Sequence, residues 1–363
     1  MPDNTEPATF LIQGANTMNI GVIGVGKLGE FHTKLLTEIS RDQPDIHCAG
    51  IYDLDSRRVE EMSKKYNVPS FTSLELLAKE CDAAIIATTT SSHFSIASAL
   101  LKEGLHLFIE KPITTTLEEA DELIRLEAEN QVRIQVGHIE RFNPAIRAIE
   151  PYIGRPMYIQ AERLSNFSRR VTDVSVVLDL MIHDIDLVLS LIPSEIRHIS
   201  ASGVRVFSNE LDMATARIDF VNGATANVTA SRLSRSSHRK FRFFGTNPKS
   251  YASLDLTTGK SEVFRLVKKE EASSKNPLKS FTARKILEQF GEIQEAMKGM
   301  VLDYIHPEVP KVNALRDELE QFINTLKNNN PVAVSSADGR RAIMVAGKIT
   351  AEIEANAASS DIV

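Results

Sequence analysis

The chain has 363 residues, enough for two domains with their own cores. Its 42% apolar and 25% charged residues are the balance of a globular protein, and a net charge of −6 gives no basic footprint for nucleic acid. No run reaches membrane-spanning length, the first seventeen residues lack the marks of a signal peptide, and Cys48 and Cys81 have no metal-ligand spacing. A cytoplasmic protein with no metal site and no membrane contact is expected.

Residues 1–17 read as an N-terminal extension. Asn19–Ile23, Ile46–Tyr52, Ala83–Ala87, Leu105–Ile109 and Val132–Val136 then read as buried strands. Helical patterns lie between them. Leu28, Phe31, Leu35 and Ile39 share a helix face, and Arg57–Tyr66, Leu74–Lys79, His93–Glu103 and Leu117–Asn130 follow. Gly104 closes the fourth of these helices. Strands alternating with helices imply a parallel sheet with right-handed crossovers.

The pattern changes near residue 150. Pro156–Leu164, Ile196–Phe207, Met213–Val221, Ala224–Ser231, Arg239–Gly245 and Tyr251–Leu256 read as strands, with an Asn222-Gly223 hairpin turn. Strands without intervening helices imply an antiparallel sheet. The helix Val176–Leu191 interrupts them. Lys268–Ser280 reads as a polar loop, and helices Ala283–Met297, Ala314–Lys327 and Asp338–Ala355 end the chain.

The first strand runs into Gly24-Val25-Gly26-Lys27-Leu28-Gly29, a G-x-G-x-x-G loop that opens a helix. Its glycines permit a tight turn, close approach of a pyrophosphate and close helix–strand packing, and the phosphates would sit on the helix N-terminus. Such a motif alone is weak. Here Asp53 stands at the end of the second strand, 24 residues beyond Gly29, where an adenosine ribose is held. Its charge would repel a 2′-phosphate, which favours NAD over NADP, while Arg57 and Arg58 are the residues that would accept that phosphate. The expected fold is therefore α/β, with an NAD(P)-binding Rossmann domain over 18–140. A C-terminal α+β domain with an antiparallel sheet is expected over 141–363, and the family that the residues below resemble implies that this sheet is large, mostly antiparallel and open.

Further candidates lie at the strand tips. Thr88-Thr89-Thr90-Ser91-Ser92-His93 follows the third strand, and its hydroxyls can bond a cofactor ribose or phosphate. His93 reads equally as a cofactor contact or as a packing residue. The fourth strand ends in Glu110-Lys111-Pro112. Its proline forces Lys111 out of helical geometry at the crevice where such sheets bind ligands. In the second half, Asp179 and His183 lie four apart on a helix, with Asp186 extending the same face. A carboxylate and an imidazole so placed can work as an acid/base pair, or form a plain surface ion pair. Gly137-His138-Ile139-Glu140-Arg141-Phe142-Asn143-Pro144 joins the two halves.

Together these residues resemble the glucose–fructose oxidoreductase/inositol dehydrogenase (Gfo/Idh/MocA) family, over nearly the whole chain from Met18. Leu315-Arg316-Asp317-Glu318-Leu319 through Asp338-Gly339-Arg340 is similar to the family's closing helices. The resemblance implies Lys111 at the nicotinamide and substrate hydroxyl, Asp179 with His183 as the acid/base pair, and Glu110 at the nicotinamide ribose. Gly24, Gly26, Lys27, Leu28, Gly29, Asp53, Arg58, Thr88, Thr89 and His93 complete the cofactor set. A homodimer or homotetramer through the C-terminal sheet is implied as well. Val176-Val177-Leu178 departs from the glycines that many members carry before the aspartate, which puts the shape of the sugar pocket in question.

The joining segment and the Asp179–Asp186 helix look most like the branch that oxidises C3 of UDP-N-acetylglucosamine. His138, Arg141 and Asn143 would then line the substrate site. Arg169, Arg170, Arg232 and Arg235 are diphosphate candidates, because guanidinium groups bind phosphate bidentately, though each reads equally as an ordinary arginine. Rival readings are a family member acting on inositol, a free sugar, an imine or a tetrapyrrole, and a cofactor-binding regulator without turnover.

Overall fold

In the computed structural model, residues 17–167, 174–272 and 300–360 are described. They form two units, residues 17–137 with Leu315–Arg340 and His138–Ala314 with 341–360.

The first unit contains β1 (Met18–Ile23), α1 (Lys27–Asp42), β2 (Ile46–Tyr52), α2 (Ser56–Tyr66), α3 (Leu74–Glu80), β3 (Ala83–Ile86), α4 (Thr90–Lys102), β4 (His106–Glu110), α5 (Leu117–Glu129) and β5 (Ile134–Gly137). All strand pairs are parallel, in the order β2-β1-β3-β4-β5. Residues 83–86 and 107–109 are buried at every position, as in a sheet covered on both faces. The strand order reverses at β1, so a crevice opens between the carboxyl ends of β1 and β3. Asp55 caps α2, Ser73 caps α3, and Thr116 with Glu119 forms a capping box on α5.

Four expectations are corrected in this unit. Helix α8 (Ala314–Asn328) was expected in the second domain, yet its Leu319, Phe322, Ile323 and Leu326 share a core with Met18, Leu36 and Phe108. Periodicity shows that a helix has an apolar face, not which core receives it. The unit boundary also falls after Gly137 rather than after residue 140. On α1 the buried face is His32, Leu35, Leu36 and Ile39, while Leu28 and Phe31 are 40% and 49% exposed. Finally, α4 starts at Thr90, three residues before His93, because Thr89 through Ser92 read as loop on their weak helix preference.

The second unit opens with a 3-10 turn (Ile139–Phe142) and α6 (Pro144–Ile149). Next come β6 (Arg155–Leu164), a π-helical turn (Val177–Met181), α7 (Ile182–Leu191), β7 (Ile196–Val204), β8 (Met213–Phe220) and β9 (Thr225–Ser231). Strands β10 (His238–Thr246), β11 (Lys249–Asp255), β12 (Ser261–Lys268) and β13 (Met300–Ile305) follow, and α9 (Ser336–Ser360) enters this unit from Arg341. The eight strands run β13-β12-β11-β10-β6-β9-β8-β7, with β6–β9 parallel and the other pairs antiparallel.

One face of this sheet places Ile159, Ala161, Val228, Phe241 and Phe243 in a core with Val177, Met181, Ile185 and Val188 and with Val345, Ile349 and Ile353 of α9. The alternate positions carry an aromatic row, Tyr158–Phe244–Tyr251–Phe264–Tyr304. Each member is directly paired to the next across five strands. Successive ring centroids lie 5.7, 5.1, 6.1 and 4.4 Å apart.

Strands β12 and β13 were not anticipated. Lys268, read as the start of a polar loop, ends β12 and is followed by a 3-10 turn at Lys269–Glu271. Charged residues interleaved with Val263, Leu266 and Val267 mask the strand. The Ala283–Met297 helix, residues 273–299 generally and residues 1–16 lie outside the described residues.

Candidate active site

After β1 the chain turns at Gly24, whose φ of +83° only glycine adopts readily. The Gly24 amide donates to Tyr52 O at 2.8 Å. A methyl group at Gly24 would lie 2.6 Å from Thr88 Cγ2, and one at Gly29 only 1.7 Å from Gly24 O. Those two glycines are required by the fold itself. Gly26 differs, because a methyl group there would meet only Arg58 Nη1, at 3.9 Å. Gly26 is also the N-cap of α1 and has no side chain to cover the first-turn amides. The loop therefore presents an open helix N-terminus that suits a phosphate. Lys27 and Leu28 follow it, both exposed.

Asp53 is fixed beside this loop. The Val25 amide donates to its Oδ2 at 2.7 Å and the Asp55 amide to its Oδ1 at 2.9 Å. Beyond it lies an open cavity of about 400 Å³ lined by Tyr52, Leu54, Val59, Ser63 and Phe71. The loop and the carboxylate together fit the phosphate and ribose ends of a dinucleotide.

At the tips of β3 and β4 the structure revises two roles. His93 is buried, with Nδ1 2.9 Å from Pro112 O and Nε2 3.2 Å from Thr88 O. Burial pushes its imidazole below the ordinary value. It ties the two strand tips together instead of facing a cofactor. Thr88 stays at the crevice, accepting from Ser92 Oγ at 2.8 Å, and Thr89 is exposed. Glu110, expected at the ribose, turns inward at 7% exposure, and its Oε1 lies 2.6 Å from His32 Nε2. Gly137 pairs with Glu110 across β4 and β5 and leaves room for that carboxylate. Lys111 follows directly, half-buried, before a cis peptide to Pro112.

In the second unit, the helix expected from Val176 is two segments. The Ile182 amide bonds back five residues to Val177 O, so Asp179 sits in a π turn and His183 at the second position of α7. Inserted π turns recur at functional sites. Asp179 and His183 are both half-buried.

Asp186 lies three residues beyond His183 on α7 and is paired with an arginine. It is 1% exposed and accepts from Arg141 Nη2 at 2.6 Å and Nε at 2.8 Å. Asp184, fully buried, accepts from Arg163 Nη2 at 2.6 Å, and the same guanidinium reaches Glu140 Oε1 at 2.9 Å. Arg239 adds a bond to Glu140 at 3.0 Å. Burial pushes the Asp184 carboxyl up against the pull of Arg163. Burial also opposes the charge on Glu140, but Arg163 and Arg239 hold its carboxyl below the usual range. Asp184, Asp186 and Glu140 thus anchor α7 from behind. Sequence reasoning gave Asp184 and Glu140 no role and missed Arg163. The available signal was two aspartates inside the apolar run from Ile182 to Leu189.

The remaining substrate candidates have mixed outcomes. Arg141 is committed to Asp186, and Asn143 caps α6 by accepting from the Ala145 amide at 3.0 Å while donating to Glu140 Oε2 at 3.0 Å. His138 is 1% exposed, with Nδ1 4.0 Å from Asp186 Oδ2. Arg232 is 4% exposed and donates inward to Leu211 O at 2.8 Å and to Val174 O. A guanidinium buried on backbone carbonyls cannot present a fork to a diphosphate, so Arg232 does not serve as the expected diphosphate partner. Arg235 is exposed, while Arg169 and Arg170 lie outside the described residues.

No helix among the described residues is long and apolar enough to cross a membrane. Residues 18–138 match the oxidoreductase family with an NAD-binding Rossmann fold, and residues 146–249 match the GFO/IDH/MocA C-terminal domain. UDP-N-acetylglucosamine 3-dehydrogenase of Acidithiobacillus ferrooxidans is 34% identical over 339 residues, 93% of this chain and 98% of that protein. A solved structure of that enzyme, GnnA, superposes with a TM-score of 0.79 at 33% identity, over 93% of this chain and 98% of the other. The scyllo-inositol 2-dehydrogenase (NAD(+)) of Bacillus subtilis is 30% identical over 237 residues, 60% of this chain and 68% of its own. Matched in both halves, the chain belongs to the GFO/IDH/MocA family of oxidoreductases, and its first unit is built for a nicotinamide cofactor.

Proposed function

We propose that this protein is an NAD-dependent dehydrogenase that oxidises the C3 hydroxyl of a UDP-N-acetylhexosamine to the 3-keto sugar. The observation that carries the reading is the near-full-length similarity to UDP-N-acetylglucosamine 3-dehydrogenase, which spans both units. NAD is favoured over NADP because the Asp53 carboxylate, held by two amides, would repel a 2′-phosphate. When bound, the nicotinamide supplies the hydride acceptor.

The chain's own residues handle the proton and the developing charge. His183 takes the hydroxyl proton, Asp179 orients the imidazole, and Lys111 holds the oxygen and stabilises charge on it. Arg169, Arg170 and Arg235 remain the diphosphate candidates. The aromatic row from Tyr158 to Tyr304 supports self-association as a dimer or tetramer, since Phe244 within it is 44% exposed. Unpaired Cys48 and Cys81 suit the cytoplasm.

A panel of UDP-sugars, inositols and free sugars, followed by NADH absorbance, tests the reading. Turnover is expected with UDP-N-acetylglucosamine or its epimer and should be lost in Lys111→Ala while NADH still binds. Turnover of inositol alone would support the second reading, which the B. subtilis relative favours. Tight NADH binding with no substrate oxidised would mark a regulator.

A further inference from the structure

We infer that His32 is a positioning residue for Lys111, acting through the Glu110 carboxylate; this deepens the dehydrogenase reading and rests on it. His32 lies on α1, three residues beyond Gly29, and is completely buried. Its Nε2 is 2.6 Å from Glu110 Oε1. Its ring meets Phe108 edge-on at a centroid distance of 5.4 Å, and Phe108 in turn meets Phe322 at 5.9 Å. The other ring nitrogen, Nδ1, has no hydrogen-bond partner among the described residues.

Packing does not explain such a residue. A buried polar atom left unpaired costs about 1–3 kcal/mol, and a leucine would fill the same space without that cost. What the imidazole supplies is a donor for Glu110. Nδ1 has no partner among the described residues to accept a proton from it, so the tautomer with the ring proton on Nε2 is the one that donates to Oε1. A buried carboxylate without a donor would be costlier still.

The bond fixes more than one side chain. Glu110 ends β4 and is paired to Gly137, where a methyl group would lie 2.9 Å from its Oε2. The carboxylate is therefore held between His32 and Gly137, with little freedom. Lys111 is the next residue, so its Cα is set by an anchor in the residue before it. On the other side, α1 itself begins within the glycine loop, and Thr33 Oγ1 donates to Gly29 O at 2.8 Å inside that helix. His32 lies on the helix that the glycine loop opens and bonds the residue before Lys111. Misplacement of a catalytic group by about 1 Å can lower a rate about a hundredfold.

The experiment compares wild type, H32L, H32Q and G137A. Glutamine can donate from near the Nε2 position and leucine cannot. Alanine at Gly137 pushes the carboxylate while leaving His32 intact, and it serves if H32L does not fold. Three quantities are read: kcat and KM for the sugar, the NADH Kd, and the rate at which Lys111 is reductively methylated, mapped by mass spectrometry. In H32L and G137A, kcat should fall about a hundredfold while KM and the NADH Kd change less than about threefold, and the Lys111 labelling rate should shift. H32Q should recover most of kcat and the wild-type labelling rate. Loss of thermal stability with unchanged kcat per active site, or no difference between H32Q and H32L, would overturn the inference. The labelling rate needs no substrate. If wild type oxidises no sugar, the dehydrogenase reading fails while the link from His32 to Lys111 is still decided.

Discussion

The backbone amide of Val25 donates to Oδ2 of Asp53 at 2.7 Å, and Oδ1 accepts from Asp55 at 2.9 Å. The carboxylate that would read the ribose also fastens the glycine loop to the end of β2. Asp53→Asn keeps one acceptor and loses the charge. NADH affinity should fall about tenfold, and the preference over NADPH should shrink, because repulsion of the 2′-phosphate is gone. Fluorescence titration with both cofactors measures this. An unchanged ratio would move the discrimination to Arg57 and Arg58.

Gly26 and Gly29 should separate binding from folding. Alanine at Gly29 would place Cβ 1.7 Å from a backbone oxygen, so the main chain must move. A stability loss of about 3 kcal/mol or more is expected. Alanine at Gly26 meets only Arg58 Nη1 at 3.9 Å. It should lower stability by about 1 kcal/mol at most and yet weaken NADH at least about tenfold, by filling the phosphate cradle. Urea unfolding and NADH titration on both variants check the contrast.

The contrast also shows what the sequence could reveal. The glycine loop and Asp53 are local signals, set by one turn and one strand length, and they were legible. So were the parallel sheet and most of the second sheet, whose strands alternate cleanly. The destination of α8 was not, since Leu319 and Phe322 are apolar whichever core they join. The π turn at Val177–Met181 has no residue signature that separates it from an α-helix. Arg232 was misread for one reason. A guanidinium suits a phosphate and a buried aspartate or carbonyl equally well, and only three-dimensional burial tells them apart.

Arg163 joins two buried carboxylates, Asp184 at 2.6 Å and Glu140 at 2.9 Å. Arg163→Met leaves Asp184 without its guanidinium, and about 3–5 kcal/mol of stability should be lost. Glu140 keeps Arg239 and Asn143. The double variant R163M/D184L should therefore recover most of the loss, because a buried ion pair can be replaced by apolar side chains at little net cost. Urea unfolding of the single and double variants decides it. A double variant no better than the single would place the strain at Glu140.

Asp212 gives a test in acid. Its Oδ2 accepts from the amides of Phe207 at 2.7 Å, Val206 at 2.8 Å and Ser208 at 3.1 Å, and the Ser208 hydroxyl reaches Oδ1 at 2.8 Å. Burial opposes the charge, but these donors override it and hold the carboxyl at about 2, against an ordinary 3.8. The folded value lies below the unfolded one, so the unfolded chain takes up the proton first as the pH falls. The contribution of Asp212 to stability is complete above the unfolded value and is lost as pH falls from about 4 to about 2. Asp212→Asn lacks that contribution at every pH. The stability gap between wild type and D212N, from urea unfolding at several pH values, should be constant from about pH 5 to 7 and should narrow steadily below about pH 4. A gap of constant width down to pH 2 would mean that the Val206–Ser208 amides hold a neutral side chain as well as a charged one.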